Sequence, residues 1–71
     1  MKLYEGNLET SYKIRELQTD DRELNSFLFS LGCYEEETVT VVSKRKNNLV
    51  IAVKDGRYNI DKALAEIIEV S

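Results

Sequence analysis

Asp20–Val42 reads DDRELNSFLFSLGCYEEETVTVV, and the change of period halfway through it decides the fold. Leu24, Phe27, Leu28 and Leu31 recur at i, i+3, i+4 and i+7, which puts them on one face of a helix. From Thr38 the spacing drops to two: Val39 and Val41 point one way, Thr40 and Val42 the other. The first half therefore predicts a helix over Asp21–Leu31, the second a strand over Thr38–Lys44. Asp20 is expected to cap the helix by accepting a first-turn amide, with Glu23 reaching back as in a capping box. Asp21 and Glu23 add negative charge at the positive end of the helix dipole. Gly32 follows the last apolar residue and suits the left-handed turn that ends a helix. A helix this short is marginal alone. Burying its four large side chains would contribute about 1.5–3 kcal/mol each before ordering costs, so the strands must supply the surface it packs on.

Outward from this stretch the chain reads as short strands. Met1–Asn7 is a fraying end or a short edge strand. Thr10–Leu17 alternates, with Tyr12, Ile14 and Glu16 on one face and Lys13, Arg15 and Leu17 on the other. Glu35–Glu37 form a solvated acidic turn, and Arg45–Asn48 a polar one. Leu49–Lys54 alternates again, and Asp55-Gly56 signals a two-residue type I′ hairpin into Arg57–Ile60. Asp61 caps a helical turn, Lys62–Ala65, before a last strand over Ile67–Val70. About five short strands, one helix and one turn without linkers or repeats make residues 1–71 a single, mainly β domain. Strands this short and close suggest a small antiparallel barrel of the SH3-like kind, with curvature closing its edges and the helix plugging one end.

Composition narrows the function. At 71 residues the chain is near the smallest size at which a hydrophobic core suffices. Its one cysteine cannot form an internal disulfide, in keeping with a reducing, cytoplasmic setting. No apolar run approaches the ~20 residues of a membrane span, and no signal-peptide core is present. A net charge of −3 argues against general nucleic-acid binding. The absence of histidine removes the commonest general base and the commonest transition-metal ligand together.

Two separated patterns resemble the FeoA family of small accessory proteins of bacterial ferrous iron uptake. Leu28-Phe29-Ser30-Leu31-Gly32 matches that family's leucine-x-x-leucine-glycine at the end of its helix and runs into Thr38-Val39-Thr40-Val41. Gly56, Ile60, Ala65, Ile68 and Val70 match its closing pattern in spacing. The resemblance spans about Tyr12 to Val70. It implies an SH3-like barrel that docks on the cytoplasmic GTPase region of the membrane ferrous transporter, FeoB. A related barrel forms the C-terminal domain of iron- and manganese-dependent repressors, so the alternative is a metal-responsive barrel or a direct iron sensor. The chain departs from the family in having Tyr34-Glu35-Glu36 where proline-glycine is frequent, and Phe27 and Asp61 where arginine is frequent.

The residues offer little chemistry of their own. Cys33 has no histidine to activate it, so no enzyme is expected, and it reads as a small buried hydrophobe. Cys33, Glu35 and Glu37 are the only metal-ligand candidates, and consecutive glutamates rarely converge on one ion; no cofactor is expected. Lys44, Arg45 and Lys46, with Lys54 and Arg57, suggest a basic end of the sheet with only Tyr58 nearby, a solubilising loop rather than a nucleic-acid platform. Phe29 lies opposite Leu24, Leu28 and Leu31 on the helix. Either it packs under the N-terminal segment, or it is exposed and forms a partner-binding surface with Tyr34, Glu35 and Glu36. The helix's apolar side could also serve a weak homo-oligomer.

Overall fold

A computed structural model describes residues 1–71. Five antiparallel strands form one sheet in the order β4-β3-β2-β1-β5: β1 Thr10–Leu17, β2 Thr38–Lys44, β3 Asn48–Val53, β4 Gly56–Asp61 and β5 Ile68–Val70. Helix α1, Arg22–Leu31, joins β1 to β2; helix α2, Lys62–Ile67, joins β4 to β5. Because β4 and β5 are the two edges, α2 spans the gap between them as the sheet curls. The mainly β, SH3-like architecture expected from the sequence is present. Its core is lined by the alternating faces of the strands: Val39 and Val41, then Leu49, Ile51 and Val53, all buried.

The helices begin and end for local reasons. Asp21, not Asp20, caps α1: its carboxylate accepts the amides of Glu23 at 2.9 Å and Leu24 at 3.2 Å. The Thr19 hydroxyl accepts the Asp21 amide at 3.1 Å, fixing where the chain turns inward. Glu23 consequently falls at the second helical position, too early for a capping box. Gly32 ends the helix at φ 101°. Its amide meets Phe29 O, and the Cys33 amide returns to Leu28 O, both at 2.9 Å, the paired bonds of a Schellman motif. Asp61 caps α2 as expected, accepting the Leu64 amide at 2.8 Å.

The expected four-residue helix face is buried only in part. Leu28 is fully buried, Leu24 and Leu31 are half-buried, and Phe27 is 47% exposed. Phe27 lies about 100° round the helix from Leu28, at the margin of a narrow stripe, so one turn against a small barrel leaves it outside.

Three further differences come from register. A bulge between Ile14 and Glu16 inserts one residue into β1, so Leu17 pairs with Ile68 and packs against the core instead of facing out. The β3–β4 turn is Lys54–Asp55, one residue earlier than the glycine suggests, since Val53 pairs with Gly56. Only Lys54 of the two has positive φ, 52°, the pattern of a II′ rather than a I′ turn. Gly56 is needed for a different reason: the Tyr58 ring lies against its Cα, where a side chain would collide. The N-terminal segment is not frayed, and its edge pairing is a single antiparallel bridge, Lys2 with Glu69 of β5, rather than a strand. Leu3–Glu5 form a 3-10 turn, Leu3 is fully buried, and the Met1 ammonium meets Glu69 Oε2 at 2.6 Å and Val70 O at 3.0 Å.

Candidate functional site

The Schellman turn sends Cys33 into the core and brings Tyr34 back beside the helix. There the Tyr34 ring meets Phe29, with centroids 4.9 Å apart and planes tilted by 35°. Phe29 is nevertheless 64% exposed, so the pair is stacked rather than covered. From the β3–β4 turn, Lys54 closes the other side. Its stem runs past Gly32, its ammonium lies 5.1 Å from the Tyr34 ring centre, and Nζ reaches Glu37 Oε2 at 3.0 Å. Tyr34 first and Glu37 second hold the Lys54 ammonium above its ordinary pKa. The geometry with Tyr34 is that of a cation over an aromatic face. Reciprocally, the Lys54 hydrogen bond keeps the Glu37 carboxyl below the usual carboxylate range. Tyr58 completes a shallow groove of about 470 Å³, with Phe29, Leu31 and Tyr34 on one wall and Lys54–Gly56 on the other.

The expected partner-binding residues thus divide. Phe29 and Tyr34 are brought together, whereas Glu35 and Glu36 do not line the groove. Glu36 adopts φ 75° and turns toward β1, meeting Arg15 Nη1 at 3.5 Å and Lys13 Nζ at 3.7 Å; Glu35 is exposed and makes no ion pair. Lys54 and Tyr58 were not expected here. The signal for Tyr58 is its i, i+2 relation to Gly56, which puts both on one face of β4. Lys54 carries no sequence signal, because its place depends on the fold bringing two turns together.

The metal-ligand candidates do not converge. Cys33 is fully buried in the core, and burial pushes its thiol up to about 11, away from the thiolate that binds metals. Glu37 is engaged by Lys54, and no three cysteine or acidic side chains come close enough to hold an ion. The basic residues also separate. Lys44–Lys46 sit at the β2–β3 turn and Lys54 and Arg57 at the β3–β4 turn, opposite ends of β3, because successive hairpins alternate ends. The aromatic at the Lys44–Lys46 end is Tyr4, not Tyr58: Lys44 and Lys62 each lie 5.2 Å from its ring centre.

A family model described as the FeoA domain matches residues 1–71. This chain belongs to the FeoA family. It is a small accessory protein of iron transport. A crystal structure of an iron uptake regulatory protein, FeoA, superposes with a TM-score of 0.90 at 21% identity, over 99% of this chain and 93% of that one. FeoA of Stenotrophomonas maltophilia, solved with zinc and described as a prokaryotic SH3 domain protein, superposes at 0.86 and 25% identity, over 100% of this chain and 89% of that one. A manganese-dependent transcriptional repressor gives 0.89 at 14% identity, but this chain spans only 40% of its length, so that likeness is one of fold alone. No curated protein matches this chain in sequence. No helix is long and apolar enough to cross a membrane.

Proposed function

We propose that this FeoA-family protein acts in the cytoplasm by protein contact, docking on the cytoplasmic GTPase region of an FeoB-type ferrous iron transporter. The GTPase and the iron path belong to the transporter, and catalysis is assigned to no residue of this chain. The observation that carries the reading is Phe29. It is the most exposed large apolar side chain in the molecule at 64%, and it is stacked on Tyr34 beside a lysine-walled groove. Aromatic side chains already ordered before binding lose little entropy on contact and are frequent hot spots. The docking surface is therefore read as the outer side of α1 with Tyr34, Lys54 and Tyr58. Glu35 and Glu36 are placed at its margin.

The test is a pull-down with the purified cytoplasmic region of the transporter. Phe29→Ser should abolish capture while leaving the circular dichroism spectrum and unfolding midpoint unchanged. Capture that survives the substitution would remove this surface from consideration. The zinc bound by the Stenotrophomonas relative raises direct metal sensing as a second reading. Anaerobic titration with iron(II) or zinc decides it. Micromolar binding lost in Glu35→Ala or Cys33→Ser would replace docking with sensing; the buried Cys33 favours docking.

A further inference from the structure

The end of the sheet opposite the aromatic groove is built differently. Lys44, Arg45 and Lys46 crown the β2–β3 turn, and Lys62 opens α2 beside them, its amide bonded to Asn47 O at 2.9 Å. None of the molecule's four ion pairs involves these cations. The neighbouring carboxylates are occupied otherwise: Asp61 accepts the Leu64 amide at 2.8 Å and Glu5 the Lys2 amide at 2.9 Å. Tyr4 gathers two of the four, Lys44 and Lys62, over its ring, and its hydroxyl shares its one proton between Arg45 O at 2.8 Å and Lys46 O at 2.9 Å. A chain of net charge −3 thus holds four cations together with no carboxylate in ion-pair contact with any of them, against their mutual repulsion.

We propose that this basic tip is a contact for an anionic phospholipid surface, on which the protein rests by charge without inserting. No apolar side chain lines the depression at the tip, which leaves nothing to enter the acyl region. Base stacking is disfavoured, because the Tyr4 ring already carries two ammonium groups and its hydroxyl is tied down. The Arg45 and Lys62 amides are bonded to Asn48 O and Asn47 O, so the turn adds only the Lys46 and Asn47 amides to the side-chain charges as donors to an anion. What remains is a cluster of four side-chain charges, Lys44 anchored to Gly6 O at 2.9 Å and Arg45 and Lys46 projecting without a hydrogen bond, suited to a diffuse negative plane. The acidic turn and the Lys54–Glu37 pair lie at the far end of β3, a strand of six residues and so about 20 Å away. That is about two and a half Debye lengths at physiological salt, so the acidic turn does not cancel the field of the tip. The inference goes beyond transporter docking and does not depend on it. The two surfaces occupy opposite ends of β3, and both can be engaged at once.

The test is co-sedimentation of the full chain with vesicles of phosphatidylcholine, with and without roughly one-third phosphatidylglycerol. Binding is expected only to the anionic vesicles, and it should vanish when salt is raised to about 1 M. Arg45→Gln with Lys46→Gln removes two cations whose side chains make no hydrogen bond in the fold. Partitioning should then fall about 25-fold, fivefold per charge. Lys13→Gln with Arg57→Gln makes the same charge change elsewhere and should leave partitioning unaltered. No binding to anionic vesicles, equal binding to neutral ones, or an equal loss in the two double variants overturns the proposal. So does tighter binding to a single-stranded oligonucleotide or to polyglutamate than to the anionic vesicles, since the tip would then serve nucleic acid or protein.

Discussion

The two helices of this small barrel invert the usual relation between length and anchoring. Helix α1 has ten residues, yet only Leu28 is fully buried, and Phe27 and Phe29 are left in solvent. Helix α2 has six residues and ties the barrel shut. Its Ala65 is fully buried beside Leu3 and Ile68, and Lys2 reaches across to Glu66 O at 3.1 Å. The short helix is structural, and the long one presents a surface. A helix with one fully buried side chain, partial cover from Leu24 and Leu31 and a Schellman turn can keep its outer aromatics exposed without putting the core at risk, which is what a docking element requires.

Three measurements can break or sharpen this contrast. Leu28→Ala and Leu3→Ala should each cost about 3 kcal/mol in urea unfolding, since both side chains are fully buried. Native-state hydrogen exchange should then separate them. Leu28→Ala opens the α1 amides selectively, whereas Leu3→Ala lowers protection across the whole sheet. Equal loss of protection everywhere in both variants would abolish the distinction between presented and structural helices.

The second measurement asks on which side of that divide Cys33 lies. Burial raises its thiol from 9.0 to about 11, so the folded chain keeps a proton that the unfolded chain releases first. Below about pH 9 both states hold it and nothing is lost. Between about pH 9 and pH 11 stability should fall, by on the order of 2 kcal/mol, with a slope absent in Cys33→Ala. Indistinguishable slopes in the two proteins would place Cys33 with the exposed helix rather than the core. The smallest effect concerns the start of α1. Asp21→Ala should cost about 1 kcal/mol and Asp20→Ala less than about 0.5 kcal/mol, measured by thermal unfolding. The reverse order would restore the cap that sequence spacing suggested.

The alternation of Val39, Val41, Leu49, Ile51 and Val53 made the strands legible, because one face of each is buried and period two follows directly. Gly32 and Asp61 were legible for a similar reason: each terminus needs a residue type that few others replace. What escaped was set by contacts distant in sequence. Two adjacent aspartates both satisfy a capping pattern, and the Thr19 hydroxyl selects between them. The β1 bulge that turns Leu17 inward exists because β5 pairs there. Of the site, Phe29 and Tyr34 were visible as an aromatic anomaly after a helix stop. Lys54 lies at the opposite end of the sheet from Lys44–Lys46, which the sequence does not reveal, since turn composition says nothing about which turns meet. Glu36 read as part of a surface, although two β1 cations draw it away.

The ladder that joins Ile14 to Val70 has a consequence for how the molecule is made. Strands β2, β3 and β4 are consecutive hairpins and can assemble while the chain is still emerging from the ribosome. The first strand has no such freedom: its outer partner is the last of the five strands to emerge, so closure of the sheet waits for it. Until then the edge of β1 that β5 will cover stays open to any other extended chain.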